Sequence, residues 1–138
     1  MYTALMCMAM AVYFEARSEP EAGQYAVAEV IINRVNASAY PMDVCGVVKQ
    51  DLGPADHDCQ FSFWCDGKPE TIDDPIAFEK ILGISIDVLT KARQPLLPED
   101  AMWYHTDYVS PRWAARLTLV AKEGSHLFYV ADSATQQF

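Results

Sequence analysis

Glu15 is the residue whose type and surroundings come closest to doing chemistry. It follows Val12-Tyr13-Phe14 at the end of an apolar run that begins the chain. A carboxyl group there loses hydration to its neighbours. It also meets the negative end of the helix that the run is expected to form, and both effects favour the protonated acid. A glutamic acid that keeps its proton near neutral pH can hand it to a leaving oxygen, as glycosidic bond cleavage requires. The competing reading puts Glu15 on the surface, paired with Arg17 or Arg34, since most glutamates are solvated.

The aromatic supply fits a carbohydrate groove. Three Trp, seven Tyr and six Phe are present, and Trp64, Trp103, Tyr104, Tyr108 and Trp113 read as lying in polar, loop-like surroundings. Flat rings with a polar tip suit sugar faces, although core packing competes for each of them. His57, His105 and His126 are far apart, and no HExxH pair exists. Asp58, His105 and His126 could assemble a metal site, which would suit a metal-dependent peptidase or amidase. A nucleophilic triad is disfavoured, because there is no GxSxG and no cysteine has activating neighbours. Neither a P-loop nor a dinucleotide fingerprint occurs, so no cofactor is implied.

The elements that must position these groups are mostly helical. Thr3 to about Ala16 has helical composition, and Ser18-Glu19-Pro20 ends it. Pro20 is expected as the first residue of a second helix reaching about Asn36, with Ser18 or Glu19 near its cap. Ala22, Tyr25, Ala26, Val27, Val30, Ile31 and Val35 place apolar groups around most of that helix, which predicts burial on several sides. Asp43 is expected to cap a short helix through Val48. Residues 51–73 read as loops or a small hairpin. Asp73-Asp74-Pro75 opens a third long helix to about Arg93, with Ile76, Ile81, Leu82, Ile84, Val88, Leu89 and Ala92 as its apolar set. Three late segments, Met102–Thr106, Leu117–Val120 and Leu127–Val130, carry strand-forming residues. The fold class is therefore α+β, helix-dominated, over residues 1–138 as one domain.

Composition limits the partners. Hydrophobic residues make up 51% and charged residues 21% of 138, which suits a packed domain and not a disordered chain. The net charge of -9 argues against a protein that grips nucleic-acid phosphates or anionic lipid. The opening apolar run is too short to span a bilayer and lacks a basic leader, so neither membrane insertion nor a cleaved signal is expected. Cys7 is expected as a core residue. Cys45, Cys59 and Cys65 share one short window, where a bridge and reduced thiols are both open.

A longer pattern surrounds Glu15. Tyr13-Phe14-Glu15-Ala16-Arg17-Ser18-Glu19-Pro20 is followed by Gly23-Gln24, Ala26-Val27-Ala28 and Val30-Ile31-Ile32-Asn33-Arg34-Val35. Further along come Tyr40-Pro41, Cys45-Gly46-Val47-Val48, Cys59-Gln60-Phe61-Ser62-Phe63 and Cys65-Asp66-Gly67. Tyr104-His105-Thr106, Val109, Pro111, Trp113, Gly124 and His126-Leu127-Phe128-Tyr129 complete it. In this order the pieces resemble a cell-wall hydrolase family typified by the spore-cortex lytic enzymes SleB and CwlJ, over about residues 9 to 130.

The resemblance implies a lysozyme-like fold that cleaves the MurNAc–GlcNAc glycan of bacterial peptidoglycan, typically as a lytic transglycosylase. It maps the catalytic glutamate onto Glu15. The groove maps onto Gln60, Phe61 and Ser62 and onto Tyr104 and His105, with Tyr13 and Trp113 as further substrate contacts. Trp103 and Asp100-Ala101 depart from the family's usual residues, which bears on substrate preference. A second carboxylate facing Glu15, from Glu29, Asp58, Asp66 or Asp107, would instead indicate a water-using muramidase. An inert Glu15 would leave a peptidoglycan-binding module. With no export signal or wall-binding repeat, the chain resembles a bare catalytic module acting at the cell wall. It would be either a phage lysis enzyme released by a partner holin or a trimmed secreted domain.

Overall fold

Thr3 starts the first helix, α1 (Ala4–Ala16), by accepting a hydrogen bond from the Met6 amide at 3.2 Å. Every residue from Cys7 to Tyr13 is buried, so α1 is enclosed on all sides. The structure, a computed structural model, describes residues 2–51 and 59–132. His57 and Asp58 lie outside the described residues.

The second helix, α2 (Glu21–Val35), starts one residue later than expected. Pro20 is its N-cap and offers no side-chain cap, while Glu19 is turned away to a distant turn. The predicted burial on several sides is borne out. Helix α2 packs against α1, α3 (Val44–Val48), α4 (Pro75–Thr90), β1 (Ala101–Thr106) and β2 (Leu117–Glu123). Asp43 caps α3 through the Gly46 amide at 2.6 Å, and Asp74 caps α4 through Ala77 at 3.1 Å. Ile76 leaves the expected apolar set: it sits in the first turn of α4 and is 81% exposed, whereas Ile81 and Ile84 are buried. Between α3 and α4 only an isolated Asp51–Cys59 bridge and a 3₁₀ turn at Ser62–Trp64 are regular among the described residues.

The late segments form an antiparallel sheet in the order β1–β3–β2, with β3 (His126–Ala131) in the centre. Trp103 and Tyr104, whose polar surroundings suggested a loop, lie in β1, as the strand expected over Met102–Thr106 requires. They pair with Tyr129 and Phe128 of β3. Helix α2 docks the sheet through its polar face: Asn33 Nδ2 donates to the Pro98 and Ala101 carbonyls, and Arg34 Nε donates to the Met102 carbonyl at 2.9 Å.

Both pairs of cysteines are bridged. Cys7, expected only to pack, is buried and bonded to Cys45, which ties α1 to α3. Within the three-cysteine window, Cys59 pairs with Cys65 and so closes a loop around Gln60–Trp64. No helix among the described residues is long and apolar enough to cross a membrane.

Candidate active site

Glu15 occupies the last turn of α1, and the end of that helix is held firmly. Gln24 Nε2 donates to the Ala16 and Arg17 carbonyls at 3.1 and 3.2 Å, satisfying acceptors that a helix end leaves unpaired. The Tyr13 hydroxyl accepts from Arg17 Nη1 at 2.7 Å and from the Asp74 amide at 2.9 Å. These bonds aim Glu15 into a cleft of about 620 Å³.

That cleft gathers most of the expected site. Glu15 shares it with Gln60, Phe61 and Ser62 from the bridged loop, Tyr104 and His105 from β1, and Trp113. Tyr13 is absent from this lining. It borders a smaller pocket of about 210 Å³ on the other side of Glu15, with Arg17, Ser18, Thr71 and Asp73.

Electrostatics single out the acid. Burial pushes the Glu15 pKa up to about 7, and the nearby Arg34 guanidinium pulls it back only in part. The surface pairing considered from the sequence does not form: Glu15 has no ion pair among the described residues. Arg34 is itself buried, with its guanidinium over the rings of Tyr40 and Phe61 at 5.3 and 5.8 Å. Burial, and then the charge of Glu15, hold the Tyr104 hydroxyl well above the usual tyrosine range. It therefore remains a hydrogen-bond donor beside the acid.

His105 contributes a surface more than a base. Its Nδ1 lies 2.7 Å from the Thr106 carbonyl, which can only accept, so this nitrogen carries a proton. Its Nε2 is engaged by the Tyr129 hydroxyl at 2.7 Å. With both nitrogens occupied, the ring stacks on Tyr129 and meets Trp113 edge-on. A metal would have to displace one of these bonds to bind His105. Asp51, Cys59 and Cys65 are the described residues close enough to share an ion, but both sulfurs are joined in the disulfide.

Arg34 and His126 line the cleft without having been assigned to it from the sequence. A cue for Arg34 existed, namely a cation within the apolar stretch Val30–Val35. The alternative carboxylates among the described residues, Glu29, Asp66 and Asp107, are elsewhere. Glu29 accepts from the Leu96 and Leu97 amides and borders a different cavity. Asp107 pairs with Lys122 at 3.3 Å, and Asp66 accepts from the Lys68 amide. Among the described residues, Glu15 is the one carboxylate lining the cleft.

The sequence model of a family described as Cell Wall Hydrolase matches residues 18–129. The chain belongs to the cell wall hydrolase family. The match begins just after Glu15, so the family assignment stands independently of that residue. The spore cortex-lytic enzyme of Bacillus subtilis is 32% identical over 122 residues, covering 88% of this chain and 35% of that protein. That of Halalkalibacterium halodurans is 52% identical over 48 residues, covering 35% of this chain and 14% of the relative. The chain thus spans about a third or less of these cell wall hydrolase relatives.

Solved structures agree on the fold. The catalytic domain of the germination-specific lytic transglycosylase SleB from Bacillus anthracis superposes with a TM-score of 0.70 at 29% identity, covering 93% of this chain and 96% of that one. The catalytic domain of Bacillus cereus SleB gives 0.69 at 28% identity, covering 94% and 92%. The expected lysozyme-like α+β fold of a cell wall hydrolase is the one observed.

Proposed function

We propose that this chain cleaves peptidoglycan glycan strands between MurNAc and GlcNAc as a lytic transglycosylase, with Glu15 as its one catalytic carboxylate. One observation carries the choice of reaction: among the described residues the cleft holds a single carboxylate, and burial keeps it protonated to about pH 7. Hydrolytic glycosidases generally use two carboxylates, the second acting on water or on the anomeric carbon. The SleB structures, described as a lytic transglycosylase and its counterpart, support the same reading.

Glu15 protonates the bridging oxygen as the bond to the anomeric carbon of muramic acid breaks, and the GlcNAc hydroxyl leaves. The substrate's own acetamido oxygen stabilises the cationic anomeric centre. The Glu15 carboxylate then removes the proton of the C6 hydroxyl while that oxygen bonds to the anomeric carbon. This closes a 1,6-anhydro ring and restores the acid. His105 and Trp113 supply ring faces for the sugars, while Phe61, expected as a substrate contact, is buried and backs the cleft wall under Arg34. Gln60, Ser62 and the Tyr104 hydroxyl supply hydrogen bonds. Tyr13, expected as a substrate contact, is buried, and its hydroxyl instead holds Arg17 and the Asp74 amide beside the helix end that carries Glu15.

Digestion of purified sacculi followed by mass analysis of the muropeptides tests this. Fragments ending in 1,6-anhydromuramic acid, each lighter by one water than its reducing counterpart, are expected. Reducing ends that incorporate labelled oxygen from solvent would overturn the assignment in favour of a muramidase. The pH dependence is a second expected result. Because the free enzyme must hold the Glu15 proton, kcat/KM should fall about tenfold per pH unit above about 7. A rate that stays flat to pH 9 would contradict Glu15 as the acid.

A further inference from the structure

Glu19 is the part of the motif that this mechanism leaves unused. It lies four residues beyond Glu15, in the turn between α1 and α2. Its carboxylate reaches across the molecule to the β2–β3 turn, where Oε1 accepts from the Ser125 amide at 2.6 Å and Oε2 from the Ser125 hydroxyl at 2.8 Å. The fit around it is close. Gly124 has φ +62°, and a Cβ there would collide with the Glu19 carboxylate and come within 2.7 Å of Pro20 Cδ. A Cβ on Gly23 would come within 3.3 Å of the Glu123 carbonyl oxygen. Ser125 passes the connection on, because its carbonyl accepts from the Asp107 amide, just past β1, at 2.7 Å. The next residue is His126, buried and lining the cleft. Its ring meets that of Tyr104 edge-on at 5.1 Å.

We propose that Glu19 is a positioning residue that clamps the sheet wall of the cleft, carrying Tyr104, His105 and His126, against the helix end that carries Glu15. Acid and wall belong to separate elements, one from the start of the chain and one from its last third. Of the contacts between them, the Glu19 carboxylate closes the gap nearest to Glu15 in sequence. Two charge-assisted hydrogen bonds to one residue fix orientation as well as distance. If the wall moves out, water reaches Glu15 and the burial that keeps it protonated is lost. The inference rests on the cleft being the glycan-cleaving site.

The test compares Glu19→Ala with Glu19→Gln on purified sacculi across pH, alongside wild type and Glu15→Gln. Both substitutions remove the charge that faces His126, Asp107 and the Ser125 dipoles, so the contrast between them isolates the hydrogen bonds. Gln can still accept from the Ser125 amide and donate to its hydroxyl. E19A is expected to lose on the order of 10²-fold in kcat/KM, as a misplaced wall would cause. Its alkaline limb should move from about pH 7 toward the ordinary glutamate value of 4.5, with Arg34 and Tyr104 still facing Glu15. E19Q should stay within about tenfold of wild type, its neutral bonds being roughly half as strong, with the limb unmoved.

If E19A does not fold, Ser125→Ala removes only the hydroxyl bond and should lower the limb by a smaller amount. S125A with a wild-type limb and rate would overturn the proposal. So would E19A at the wild-type rate. E19Q as inactive as a folded E19A would show that the Glu19 charge enters the chemistry, which also overturns positioning. If wild type releases nothing from sacculi, or E15Q releases as much as wild type, the glycan-cleaving reading fails instead.

Discussion

Glu15→Gln is expected to lower release of soluble muropeptides by on the order of 10³-fold, the scale of a lost general acid, while making the protein more stable at alkaline pH. The two effects have one cause. The Glu15 pKa rises from 4.5 to about 7 because burial disfavours its charge. In the wild type, stability is therefore complete below pH 4.5, declines as pH rises from 4.5 to 7, and is level above that, where the folded protein carries the buried charge. A shift of that size corresponds to about 3 kcal/mol. Glutamine has the same shape and no charge to bury. Chemical denaturation of both proteins should give equal stabilities at pH 4 and a difference of about 3 kcal/mol in favour of E15Q at pH 8. Equal stabilities at both values would mean that Glu15 is hydrated in solution.

The second large effect concerns the Cys7–Cys45 bridge. It joins residues 38 apart, and the loop-closure entropy it removes from the unfolded chain corresponds to about 4 kcal/mol. The double variant Cys7→Ser with Cys45→Ser should melt on the order of 10 °C lower than wild type. Neither cysteine lines the cleft, so at low temperature the folded variant should digest sacculi at close to the wild-type rate. A melting temperature unchanged within a degree would show that the bridge constrains nothing the fold does not already hold.

What the sequence discloses depends on how local the cause is. Asp43 and Asp74 are legible as caps because a cap is an exchange between neighbours. Glu15 is legible because its desolvation begins with the adjoining Val12, Tyr13 and Phe14. The family pattern then places Gln60, Tyr104 and His105 on one cleft, and the structure brings them there. Other features depend on distant groups. Cys45 finds Cys7 instead of its neighbours because α3 lies against α1. Arg34 reads as a surface cation until its side chain is seen under the Met102 carbonyl and two aromatic rings. Ile76 reads as core because period alone cannot say where the partner of a helix face ends, and α4 buries Ile81 and Ile84 one to two turns further on. His105 reads as a possible metal ligand until the Thr106 carbonyl and Tyr129 hydroxyl are found on its two nitrogens.

The central strand of the sheet has one more implication. His126, Phe128 and Tyr129 hold β1 in place, and His126 lines the cleft into which the distant helix α1 brings Glu15. Acid and sheet wall therefore meet through contacts of long sequence separation, the kind that forms late in folding, so the cleft closes only after α1 and α2 have packed.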